Sequence, residues 1–144
     1  MRIEHVLEVD APAATVWQVI VDLERYPEWN PFVVSCRSSL EVGAPIEMRV
    51  RVLPFFAQPQ RETVFEHVPG KRLCYGLPAS RSLASRRCHE VEALGPTRAR
   101  YTSRFALSGW LSPVVRVLLG GQLRRGFTAM SVGIQARAES LRPR

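Results

Sequence analysis

From Val34 to Leu107 the chain alternates apolar and polar residues in short segments broken by turns, and only one long helix-spaced segment follows to cover them. The cleanest of these segments places Ile46, Met48, Val50 and Val52 on one face and Glu47, Arg49 and Arg51 on the other. Period-two alternation of this kind is the mark of a half-buried strand. Turns as short as Val42-Gly43-Ala44-Pro45, Pro69-Gly70 and Gly95-Pro96 join neighbours that run antiparallel. A sheet with one apolar face must bury it, and here a single C-terminal helix has to do so. A curved sheet gripping one helix leaves volume between them, and that volume is a natural apolar cavity.

The remaining elements follow in order. Ile3, His5, Leu7 and Val9 alternate with Arg2, Glu4 and Glu8 as a first strand, so the N-terminus reads as a strand and not as a secretory signal. Asp10 is placed to cap and Pro12 to open a helix carrying Val16, Trp17, Ile20 and Leu23. Pro27 and Pro31 restrict Tyr26 to Phe32 to a short helical turn or loop. Val34, Cys36, Ser38 and Leu40 form one strand, and a loop holding Pro54 and Pro59 has Phe55 and Phe56 at its tip. Arg61–Val68 pairs with Leu73–Leu77, and Arg87–Leu94 with Arg98–Leu107. Ser112 caps the last helix, with Pro113 in its first turn and Leu123, Phe127, Met130, Ile134 and Leu141 at helical spacing. Gly120-Gly121 is expected to break or kink it.

Residues 1–144 fit one domain. No apolar run reaches the ~18 residues that a membrane-spanning helix needs, so integral membrane association is not expected. Cys36, Cys74 and Cys88 are odd in number and widely spaced, which suggests reduced thiols and a cytoplasmic location. The net charge of +7 is carried by arginine, with Lys71 as the sole lysine. These arginines alternate with apolar strand positions and read as solvated outer faces; no nucleic-acid partner is expected. His5, His67 and His89 stand singly, without a second ligand at metal-binding spacing, so neither a metal nor another cofactor is expected. No phosphate-binding, dinucleotide or nucleophile-elbow motif is present. The sequence leaves a homodimer open.

Several stretches, in order, resemble the START/Bet v 1-like (SRPBCC) superfamily, and within it the polyketide cyclase/dehydrase branch. They are Ala11-Pro12-Ala13-Ala14-Thr15-Val16-Trp17, Asp22 to Tyr26, Trp29-Asn30-Pro31-Phe32 and Val42-Gly43. Val68-Pro69-Gly70-Lys71-Arg72-Leu73, His89 with Val91, Phe105 through Gly109-Trp110-Leu111, and Gly126-Phe127 to Glu139 continue the match. The resemblance implies an α+β helix-grip fold: a curved seven-stranded antiparallel sheet around a long C-terminal helix, with two short helices after the first strand. It also implies an internal cavity for a lipid, polyketide or similar hydrophobic molecule, with cyclisation or dehydration catalysed by a minority of members. The chain departs from the branch at Val91, where an aromatic residue is expected, and in the Ser- and Arg-rich stretch from Pro78 to Arg87. The resemblance therefore carries no particular substrate.

Strand parity points His89 and Val91 toward the cavity, with Tyr101 and Phe105 on the next strand. His89 is either a proton-transfer group or ligand anchor, or a satisfied interior histidine; Tyr101 is its candidate catalytic partner. Trp29 is a candidate wall residue and Asn30 a candidate amide contact, although an asparagine before Pro31 also suits a helix cap. Phe32 belongs to the expected mouth, and Met48, Val50, Leu73, Tyr75, Phe127 and Met130 complete the expected ligand-binding wall. The leading expectation is a binding protein for a hydrophobic small molecule. The alternative is a cyclase/dehydratase using His89 and Tyr101.

Overall fold

The computed structural model describes residues 1–53 and 55–143; Pro54 and Arg144 lie outside the described residues. Strand β1 (Arg2–Val9) leads into helix α1 (Ala13–Val21), a 3-10 turn (Leu23–Arg25) and the one-turn helix α2 (Tyr26–Trp29). Then come β2 (Val33–Arg37), β3 (Pro45–Leu53), β4 (Phe56–Val68), β5 (Arg72–Gly76), β6 (Ala84–Gly95) and β7 (Arg98–Ser108). Helix α3 (Ser112–Leu141) ends the chain. The sheet order is β1-β7-β6-β5-β4-β3-β2 with every neighbour antiparallel. This is the seven-stranded helix-grip arrangement.

Alternation decides which face is inside. Ile46, Met48 and Val50 of β3 are buried while Glu47, Arg49 and Arg51 are exposed. The opposite face carries a lattice of ion pairs, among them Arg72–Glu90, Arg86–Glu66 and Arg104–Glu90. Five of the buried side chains of α3 (Leu123, Phe127, Met130, Ile134 and Ala138) form its inward stripe against the sheet. At 1.5 Å per residue, a helix of 30 residues is about 45 Å long, enough to cross the whole sheet.

Several local expectations are corrected by the tertiary context. Gly120-Gly121 does not break α3, which runs through both residues. Each glycine costs about 1 kcal/mol against alanine, whereas each large apolar side chain on the buried stripe contributes roughly 1.5–3 kcal/mol. Ser112 is already helical and does not cap; the helix starts from Leu111, whose carbonyl accepts from Val114 and Val115. The chain enters early because Gly109, at φ 102°, turns it sharply, and a Cβ there would meet the Ser82 carbonyl at 2.4 Å. Asp10 does not cap α1 either: the Pro12 carbonyl closes the first turn, and Asp10 pairs with Arg142 at 2.7 Å.

Strand β2 ends at Arg37, and a bulge between Val33 and Ser35 puts Val33 and Cys36, not Val34, in the core. The expected loop after Leu53 is also shorter. Phe56 opens β4, and Pro59 lies inside that strand opposite Arg49. It is tolerated because β5 pairs only with Thr63 to Val68, which leaves β4 unpaired on that side at Pro59. The stretch between β5 and β6 ends at Ala84, where β6 begins. Cys74 and Cys88 are cross-strand partners joined by a disulfide, so the expected reduced thiols are confined to Cys36. Antiparallel register sets their Cα atoms 4.2 Å apart, which no reading of their spacing along the chain reveals.

Candidate ligand cavity and buried arginine

Between the inner face of the sheet and α3 lies a cavity of about 460 Å³. Val115, Leu119, Leu123 and Phe127 of α3 form one wall, and Met48, Val50 and Val52 of β3 face them. Phe105 and Leu107 of β7, with Phe32 and Val33, close the apolar lining. The Phe127 ring meets Phe32 edge-on at 5.0 Å and lies 4.5 Å from Phe105, so three aromatic rings hold this end rigidly. The polar lining comes from Gln58, Gln60 and Glu62 of β4, together with Tyr75, Ser85 and Arg87. A second hollow, about 560 Å³, lies on the outer face; its ionisable lining residue, Arg86, is exposed and already paired with Glu66. The inner cavity is the candidate site because it gathers buried polar groups within apolar walls.

Arg87 is 3% exposed. Its Nη1 donates to Ser103 Oγ, its Nη2 points at Met130 Sδ at 3.5 Å, and its guanidinium carbon sits 4.7 Å from the centre of the Phe127 ring. Its Nε has no hydrogen-bond partner. Among the described residues, no carboxylate comes within ion-pairing distance of it. Glu62, 7% exposed, borders the same cavity and accepts from the Gln60 amide. Burial pushes its carboxyl above the ordinary range, against the opposing pulls of Gln60 and Arg87.

Behind the cavity lies a polar chain. Tyr75 Oη is 3.0 Å from His89 Nε2, and His89 Nδ1 is 2.7 Å from Tyr101 Oη. His89 is fully buried, and burial, then the charge of Arg87, pushes its pKa well below the usual histidine value. A neutral imidazole has one N–H and one lone pair, so it donates to one tyrosine and accepts from the other. Burial likewise holds both phenols in their protonated form.

The structure brings together Phe32, Met48, Val50, Tyr75, Phe105 and Phe127 of the expected site on the cavity wall. Leu73, Val91, Met130, His89 and Tyr101 are buried in the packed core and do not border the cavity. Trp29 packs against Gly133 of α3 and edge-on to Tyr26 at 5.2 Å, and does not border the cavity. Asn30 Oδ1 accepts from the backbone N–H of Phe32 and of Val33 and so holds the turn into β2; its Nδ2 has no hydrogen-bond partner, and the residue does not border the cavity. Arg87 and Glu62 were the residues that sequence reasoning missed, Arg87 having been counted with the solvated arginines. Their signal was parity: Arg87 is in phase with His89 and Val91, and Glu62 with Val64.

Residues 1–139 match the family described as polyketide cyclase / dehydrase and lipid transport. The chain belongs to that family. Solved structures with this fold include a START superfamily protein from Mycobacterium smegmatis, 19% identical over 97% of this chain and 98% of that one, with a TM-score of 0.74. The Zhui aromatase/cyclase from a Streptomyces species is 17% identical over 96% and 93% of the two chains, with a TM-score of 0.79. Norcoclaurine synthase from Thalictrum flavum is 15% identical over 100% and 89%, with a TM-score of 0.72. At these identities the likeness is one of fold. No curated protein sequence matches the chain. No described helix is long and apolar enough to cross a membrane.

Proposed function

We propose that this family member binds a hydrophobic small molecule, a lipid, polyketide or similar compound, between its sheet and α3. The observation that carries the reading is the cavity of about 460 Å³ walled by aliphatic and aromatic side chains from β3, β7 and α3. Membership in a family described by polyketide cyclisation and lipid transport supports it. Native mass spectrometry of protein purified from its own host tests it, with a neutral dye such as Nile red as a second probe. An apolar adduct lost on organic extraction, and dye fluorescence quenched by refilling, are expected. Protein that carries no adduct and leaves the dye dark refutes the proposal.

A second reading rests on the Tyr75–His89–Tyr101 chain, because Tyr75 borders the cavity and hands its hydrogen bond inward. In a cyclase/dehydratase, Tyr75 would meet a ligand carbonyl while His89 and Tyr101 relay the proton. Replacing His89 and Tyr101 by Phe should then abolish turnover of an aromatic polyketide-like substrate with circular dichroism unchanged. Undiminished turnover removes them from the mechanism.

A further inference from the structure

We infer that the cavity selects ligands bearing a carboxylate, and that Arg87 is the residue that receives it. The inference rests on the cavity being the ligand site. An arginine stays protonated at every pH at which a protein is folded. Burying its charge is costly unless it is paired and hydrogen-bonded. Here the neighbours are the hydroxyls of Ser103 and Tyr101, a thioether and a ring face, all neutral, and the Nε–H is left without an acceptor. A purely structural arginine would be expected to have its fork satisfied by protein acceptors. This one borders the cavity, and its buried Nε–H has no acceptor.

The other ionisable groups on the wall do not cancel it. Glu62 lies on β4, two strands from Arg87 on β6; the Arg87 charge pulls on its carboxyl, yet the two form no ion pair among the described residues. Its carboxyl is engaged by Gln60 instead. Arg61 borders the cavity as well but is exposed, and adds charge of the same sign. A carboxylate matches the planar guanidinium fork in geometry and charge. The rings of Phe32, Phe105 and Phe127 beside it would take the apolar body of the same ligand. The ligand class is therefore an amphipathic monoacid, with its head at β6 and its tail along α3.

Two matched pairs of probes test this: decanoate against decanol, and 2-naphthoate against 2-naphthol, titrated calorimetrically at neutral pH. The acid of at least one pair should bind tenfold or more tightly than its alcohol. Arg87→Met, similar in length, should erase that preference while the alcohol still binds, and Arg87→Lys should keep part of it. Equal binding of acid and alcohol, or a preference that survives Arg87→Met, overturns the inference and leaves the cavity reading standing. If no member of either pair binds, the cavity reading itself falls, and this inference with it. Should Arg87→Met fail to fold, carboxyl-labelled decanoate on the wild-type protein decides by NMR. A bound carboxyl that titrates below its free value supports a salt link to Arg87, and one at or above that value refutes it.

Discussion

Gly126 sits on the inner side of α3, where the ring of Phe32 lies directly over its backbone. A Cβ at this position would meet Phe32 Cδ1 and Cε1 at 2.3 Å, far inside the ~3.5 Å at which carbon atoms rest. The substitution Gly126→Ala therefore forces the ring back by about 1.2 Å. Phe32 lines the cavity, so a ring displaced toward it takes up ligand space. Overpacking of this kind costs about 1–3 kcal/mol, while alanine in a helix interior returns about 1 kcal/mol. The propensity gain can be measured separately at Gly121, five residues earlier in the same helix, where a Cβ meets nothing. Gly121→Ala should raise stability by about 1 kcal/mol, and the two variants should differ by about 2 kcal/mol, the middle of the overpacking range. For a chain of this length that is a difference of roughly 4–8 °C in Tm. Thermal unfolding by circular dichroism reads it. Ligand or dye capacity should fall in Gly126→Ala alone. Equal melting temperatures for the two variants would show that Phe32 does not press on the helix, and the account of the cavity wall would fail with it.

Three further outcomes are expected. Cys74→Ala with Cys88→Ala opens a bridge between residues 14 apart, and urea unfolding without reductant should show a loss of about 3 kcal/mol; stability equal to that of the untreated wild type would mean the bridge is absent. Cys36 is buried and its thiol is pushed up to about 12, chiefly by that burial, so Ellman's reagent should label it only after denaturation; rapid labelling of the native protein contradicts its place in the core. His89 is held neutral in the fold, whereas its unfolded pKa is about 6.5. Its contribution is thus full above about pH 6.5 and is lost as pH falls toward its much lower folded value, at up to about 1.4 kcal/mol per pH unit. Between about pH 7 and pH 5 this slope should shrink in His89→Gln, and an unchanged slope in urea titrations would mean that His89 is not buried as described.

Parity along β6 illustrates how far local reading reaches. The alternation that puts His89 and Val91 inward puts Arg87 there too, so its burial was legible in principle. It was obscured because nearly all the positive charge is arginine, and several of those arginines do lie on the outer face paired with glutamates. The same parity argument recovers Glu62 from its phase with Val64. Parity gives direction but not depth. His89 and Tyr101 point inward as expected, yet they stop in packed core one layer short of the cavity, with Tyr75 between His89 and the space a ligand would fill.

Period-two and period-3.6 patterns determined the elements, their order and their faces, because both are properties of a few consecutive residues. The short turns made the neighbours antiparallel for the same reason. Three features were decided only by the assembled fold. Cross-strand register brought Cys74 to Cys88 and let a bulge move Val33 inward. Burial of the α3 stripe outweighed two adjacent glycines. The mismatch between a curved sheet and a single helix left a cavity with a guanidinium on its wall whose Nε has no acceptor. A gap is the difference between two packed surfaces, and that difference exists only once both surfaces are in place.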